Sequence, residues 1–226
     1  MTAEEYFGDW IKVIDKTELI RIMKWLSTLD PNSICPSKKN IFKAFKLCPY
    51  KELRVVCLGL DPYPQPGIAQ GILFGNSKET PENLLSPSLK VVKAALPSPK
   101  EGELFDNTME HWAKQGILMI NSALTCQTNI VGPHVAIWRP FISSLLKNIS
   151  YSKDVCFILF GKQVPSFKPF LNTAYTWVGE VEHPAYFARK GKKMPGDIFL
   201  DINRIIKQPI KFYKLCTIED GTDTLI

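Results

Sequence analysis

None of the six cysteines (Cys35, Cys48, Cys57, Cys126, Cys156 and Cys216) stands in a CxxC or CxxH arrangement, the spacing on which zinc and iron–sulfur sites depend. No metal and no other cofactor is implied. Cys57 and Cys156 lie inside apolar, strand-like runs, where a thiol serves as a small buried hydrophobe in a reducing compartment. No apolar run is long enough to span a bilayer. The opening stretch, MTAEEYFGDWIKVID, is acidic and amphipathic, without the basic start, apolar centre and cleavage site of a secretory signal. The expectation is a protein that is neither secreted nor bound to a membrane: intracellular, cytoplasmic if its source is bacterial or viral, with a nuclear location left open. No strand-like run leads into GxGxxG or GxxxxGK[ST], which argues against a nucleotide-binding protein of the phosphate-loop kind.

Internal repeats are missing as well, and the Pro/Gly clusters are too short to be linkers. The 226 residues are therefore expected to form one domain, 1–226, of ordinary globular composition with 45% apolar and 22% charged residues. The net charge of +6 hides an asymmetry: EDGTDTLI at the end holds three acids and no base, and without it the chain would carry +9. A basic body suits a polyanion partner. The acidic end, 216–226, is expected to be a flexible tail.

The first fifty residues read as helical. Thr2 with Glu5, and Thr17 ahead of ELIRIMKWLSTL, offer helix starts, and Leu19, Ile22, Met23, Leu26 and Leu29 recur at helical spacing up to Asp30-Pro31. KKNIFKAFKLC, closed by Pro49, predicts another helix. Four branched or aromatic runs follow, at 53–59, 117–123, 155–161 and 175–182, each of buried-strand length. Helical segments lie between and after them, at 86–96, 106–115, 137–149, 163–171 and 197–206. This alternation predicts an α/β fold with a parallel sheet covered on both faces, and in such sheets ligands bind beyond the carboxyl ends of the strands.

Those ends deliver Asp61, Asn121, Gly161 and His183 in turn. Singly, Asp61 reads as a turn former, Asn121 as a cap and His183 as a satisfied histidine before proline. Together they place a carboxylate, an amide and an imidazole on one edge.

GLDPYPQPGIAQGILF (59–74), ILMINSALT (117–125) and HPAYFARKG (183–191) resemble, in order and spacing, the GQDPYH, LLLNxxLT and HPSPLS signatures of family 1 uracil-DNA glycosylases. SPSL (86–89) resembles that family's proline-rich phosphate loop, and QPIKFYKL (208–215) its closing segment. The likeness runs from about Pro36 to Leu215, and GLDPYP is most similar to the GIDPYP of poxvirus members. It implies a three-layer α/β/α sandwich around a four-stranded parallel sheet, and hydrolysis of the bond between uracil and deoxyribose in DNA, as in base excision repair, by a monomer without cofactor. Asp61 and His183 are then catalytic, and Leu60, Tyr63, Phe74 and Asn121 bind uracil. Pro87, Ser88, Ala185, Phe187, Arg189 and Lys190 contact DNA, Phe187 as an apolar wedge, with Lys192 and Lys193 as further phosphate contacts. The partners implied are uracil-containing DNA and either a proteinaceous glycosylase inhibitor or a replication protein. A different modified pyrimidine as substrate, or a replication-associated binding module on the same fold, are the alternatives. The departures from the signatures are Leu60 for Gln, Pro64 for His, Ala185 and Ala188 for serines, Tyr186 for proline and Phe187 for leucine.

Overall fold

A computed structural model of the chain describes residues 2–216. The acidic tail, apart from Cys216, lies outside the described residues. Helix α1 (Ala3–Phe7) starts on the expected Thr2–Glu5 capping box. Helix α2 (Lys16–Thr28) starts two residues earlier than Thr17 suggested, because Asp15 Oδ1 accepts the N–H groups of Thr17 and Glu18. A side-chain acceptor at the cap satisfies donors that the helix itself cannot. The short strand β1 (Ile34–Cys35) follows, and the segment 38–48 holds a 3₁₀ turn and a brief α3 (Lys43–Leu47) instead of one continuous helix.

Strand β2 (Val55–Gly59) leads into the Pro/Gly loop, then α4 (Pro87–Ala95), β3 (Glu103–Leu104), α5 (Glu110–Ala113), β4 (Ile117–Asn121) and β5 (Cys126–Gln127). The long α6 (Val135–Ser152), β6 (Cys156–Phe160), a 3₁₀ segment (Val164–Phe170) and β7 (Val178–Val181) complete the sheet, and α7 (Pro184–Lys190), α8 (Asp197–Ile205) and β8 (Lys214–Leu215) close the chain. Two antiparallel bridges, β1 with β5 and β3 with β8, have no counterpart in the sequence reading, since two-residue strands carry no periodicity.

The main sheet has four strands in the order β4-β2-β6-β7, all parallel. The register aligns the strand ends: Gly59 stands opposite Asn121, and Phe160 opposite Val181. Side chains alternate between faces along each strand. Val56, Leu58, Leu118, Ile120, Phe157 and Leu159 pack under α2, α3 and α6, while Val55, Cys57, Ile117, Met119, Ile158 and Phe160 pack under α4, α5 and α8. Two cores on one sheet make the three-layer α/β/α sandwich. Burial of each large apolar side chain contributes about 1.5–3 kcal/mol relative to exposure, which holds the two helical layers on the sheet.

Candidate active site

The chain runs from β2 outward to β4, then returns to the other side of β2 for β6 and β7. That reversal opens a crevice at the carboxyl ends. A cavity of about 510 Å³ lies there, lined by Leu60, Asp61, Tyr63, Phe74, Asn121 and His183 among others, a size in the usual range of roughly 300–1,000 Å³ for small-molecule sites.

Asn121 ends β4 with only 8% of its surface exposed, and its Oδ1 is buried without a hydrogen-bond partner. An orphaned buried acceptor costs on the order of 1–3 kcal/mol, so the site is built to receive a donor. Gly59 makes the room: a Cβ there would collide with Asn121 Oδ1 and with the Leu73 side chain.

Asp61 follows β2 and is half-buried, with Oδ2 accepting the Gly132 N–H at 2.7 Å. Desolvation raises its carboxyl above the ordinary value, and the Gly132 bond pulls partly against that rise. His183 caps α7, its Nδ1 accepting the Ala185 N–H at 3.2 Å. Burial, with the Arg189 charge second, pushes its pKa down to about 4. The ring is therefore neutral at pH 7, with its proton on Nε2 and free to donate. Gly161, at φ +96°, keeps the end of β6 clear of the His183 side chain, only 3.1 Å from where a Cβ would stand.

Phe74 is 4% exposed and held at φ 64°, a conformation rare for a bulky residue. Its ring meets Phe160 and His183 edge-on, at 5.0 and 5.7 Å between centroids. The Tyr63 hydroxyl donates to the Phe74 carbonyl oxygen at 3.1 Å, and burial raises its pKa although Ser86 and Ser88 hydrogen-bond to it. Tyr63 is thus a fixed wall of the cavity.

The expected DNA-contact residues divide. Ser88, Ala185 and Arg189 line the cavity, although Ser88 is 3% exposed. Pro87 and Lys190 are exposed and outside the lining, as are Lys192 and Lys193. The segment after His183 forms helix α7 instead of a loop, and Phe187 is partly buried against the α4/α8 core with its ring edge-on to Tyr186 at 5.4 Å. Tyr186, not Phe187, reaches the cavity.

Gly132 and Val131, also at the site, were missed. The dipeptide Gly132-Pro133 marks a turn, but nothing local places that turn against Asp61. Among the described residues no group of three or more His, Cys, Asp or Glu side chains is arranged to hold a metal ion. What the cavity offers is an aromatic face, an amide able to donate and accept, a desolvated carboxylate and a neutral imidazole donor.

Comparison with known proteins identifies the family. The family model described as the Uracil DNA glycosylase superfamily matches residues 45–207. The uracil-DNA glycosylase of Fusobacterium nucleatum is 31% identical over 210 residues, covering 88% of this chain and 91% of the relative. That of Aliarcobacter butzleri is 35% identical over 162 residues, covering 68% and 73%. Among solved structures, mimivirus uracil-DNA glycosylase superposes with a TM-score of 0.67 at 19% identity, covering 93% of each chain. A variant of the mimivirus protein in complex with UGI gives 0.70 at 20%, covering 92% and 94%. The Nitratifractor salsuginis protein gives 0.60 at 20%, covering 88% and 89%. These superpositions are likenesses of fold.

Proposed function

The chain belongs to the uracil DNA glycosylase superfamily, and we infer from that membership that it is a monofunctional uracil-DNA glycosylase, hydrolysing the N-glycosidic bond of deoxyuridine in DNA to release uracil and leave an abasic site. The observation that carries the reading to this chain's own residues is the buried, unpaired Oδ1 of Asn121 inside the cavity.

A base stacked in DNA must first be turned out of the helix, at a cost of a few kcal/mol. Phe74 offers the turned-out base a stacking face, and Asn121 offers its edge two hydrogen bonds: Nδ2 donates to O4 of uracil, and Oδ1 accepts from N3–H. Cytosine presents the opposite pattern and would leave polar groups unpaired, which discriminates strongly. Thymine differs by a methyl group, where weak attraction does not suffice, and Tyr63 supplies the steric wall.

As the glycosidic bond lengthens, the sugar gains positive charge and the departing base gains negative charge on O2. The Asp61 carboxylate stabilises the sugar and holds the attacking water. His183 donates Nε2–H to O2, and losing such a donor costs on the order of 3 kcal/mol in the barrier. A neutral imidazole suits this role, because it donates without first giving up a proton to the leaving group.

Family 1 is the subgroup we assign, on the three motifs, with GLDPYP nearest the poxvirus pattern. Phosphate contacts come from the amino end of α4 and from Arg189 and Lys190, and Tyr186 joins Phe187 at the position of the wedge. Uracil-containing DNA inside the cell is the partner this assigns. A protein that mimics DNA would compete for the same face, and the mimivirus complex with UGI makes a proteinaceous inhibitor a natural candidate. The test is base release from oligonucleotides carrying one uracil, thymine or cytosine. Uracil release that is lost in Asp61→Asn, with new cytosine release in Asn121→Asp, supports both roles; no release from any strand with DNA binding intact refutes the activity.

A further inference from the structure

Asp61 is followed by Pro62-Tyr63-Pro64, a stretch in which two of three residues have no N–H and no polar side chain. The loop therefore has little of its own with which to hold the carboxylate, and its polar groups are satisfied from elsewhere. Asn129 N–H donates to the Pro64 carbonyl oxygen at 2.9 Å, the Cys126 thiol lies 3.4 Å from the Pro62 carbonyl oxygen, and Gly132 N–H donates to Asp61 Oδ2 at 2.7 Å. The Cys35 thiol also lies 3.4 Å from the Pro64 carbonyl oxygen, but these three donors come from one segment, 126–132. Two of them depend on left-handed backbone: Asn129 at φ 62° and Gly132 at φ 86°, a conformation that Gly and Asn tolerate best. The segment is itself anchored, by Thr128 N–H to the Ser33 carbonyl at 2.9 Å and by the Gly132 carbonyl accepting from Val135 at the start of α6 at 3.2 Å.

We propose that this segment is the positioning brace of the glycosylase reaction, with the Gly132 N–H as the positioning donor that orients the Asp61 carboxylate. The proposal rests on the role assigned to Asp61 above. With Oδ2 tied to Gly132, Oδ1 is left to face the cavity, so a single oxygen is presented to the water and the sugar. The bond favours the ionised carboxylate. It also fixes the rotation of the carboxylate plane, the kind of alignment whose loss by about 1 Å costs roughly a hundredfold in rate. Val131, 64% exposed and lining the cavity next to Gly132, places the same turn at the mouth through which a nucleotide enters.

The direct test removes the N–H alone by an amide-to-ester exchange, with glycolic acid in place of Gly132, because proline could not adopt the φ of 86° that the turn requires. The expected result is a kcat about a hundredfold lower at neutral pH, a KM within about threefold of wild type, and an acid limb of kcat moved to higher pH. The other titratable groups around Asp61 are His183, Arg189, Lys162, Glu182 and Tyr63 in the cavity and Cys126 behind it. The substitution touches no hydrogen bond of theirs, so they would move wild type and variant alike. A folded ester variant with the wild-type acid limb overturns the proposal.

Should that variant fail to fold, the unaltered enzyme answers the same question. The Gly132 amide proton of the free enzyme, followed by NMR, should shift with pH at the midpoint of the acid limb of kcat/KM, and the shift should vanish in Asp61→Asn. A Gly132 amide insensitive to pH overturns the brace. Asp61→Asn that keeps full activity instead removes Asp61 from the chemistry, whatever the Gly132 amide does, so the two failures are distinct.

Discussion

His183 Nδ1 accepts the backbone N–H of Ala185 at 3.2 Å, so the imidazole proton is committed to the Nε2 side, and burial keeps the ring neutral with a pKa of about 4. The working species is therefore the same at pH 6 and pH 8. We predict that kcat changes by less than about twofold between those values, with activity lost only on the acid side, as Asp61 and His183 take up protons. A fall in kcat on raising the pH through 6.5 would instead identify imidazolium as the working form.

Stability should depend on pH through the same residue. The unfolded chain binds a proton at His183 near the ordinary pKa of 6.5, and the folded chain only near about 4, so in that window the unfolded state holds more protons. Stability then falls as pH falls from 6.5 to 4, by up to about 3 kcal/mol at 1.36 kcal/mol per pH unit. Asp61 acts in the opposite sense, since its raised folded pKa lets the native state protonate first. Urea unfolding at pH 7 and pH 5 should show the loss, and His183→Gln should reduce it.

Asp61→Asn should be inactive and more stable. The carboxylate is desolvated with one hydrogen bond, from Gly132, among the described residues, while an amide of the same shape keeps that bond and carries no charge. We expect a gain in stability together with a loss of at least about a hundredfold in rate. Denaturant midpoints and base release on the same preparation check both.

Gly59→Ala should damage the uracil site without touching a group that reacts. The added methyl falls on Asn121 Oδ1 and Leu73, so either the strand end shifts or the amide turns away. Overpacking of this kind costs about 1–3 kcal/mol. Thermal unfolding reads the stability, and a loss of discrimination between uracil and cytosine reads the displaced amide.

DNA affinity should fall steeply with salt, as expected for phosphate contacts. Arg189, which lines the cavity mouth, should contribute one of them. Arg189→Ala should then reduce the slope of log K against log salt by about one, measured by anisotropy over a salt series. An unchanged slope would remove Arg189 from the contact surface.

The parts of the fold visible in the sequence are those with strong local patterning. Strands β2, β4 and β6 are buried on both faces and so read as unbroken apolar runs, and the alternation with helices determines that they are parallel. Asp61, Asn121 and His183 were readable because each ends a strand-like run or stands within two residues of its end. What escaped depends on distant pairing. The β1–β5 bridge joins residues some ninety positions apart, and Gly132 meets Asp61 across seventy-one. The residues after His183 form a helix, with Pro184 in its first turn and Gly191 at its end, positions that suit proline and glycine but that read equally as loop punctuation. Phe187 reads as a free wedge from sequence, yet the fold packs part of it against the α4/α8 core.

The order β4-β2-β6-β7 also determines when this enzyme becomes an enzyme during folding. Each of the four strands supplies a different piece of the cavity, and His183 arrives only after the edge strand β7 has paired with β6. Parallel pairing must close long stretches of chain before it is rewarded, which makes it slow. Recovery of base release during refolding should therefore lag the return of helical signal, so that catalysis itself serves as a clock for completion of the sheet.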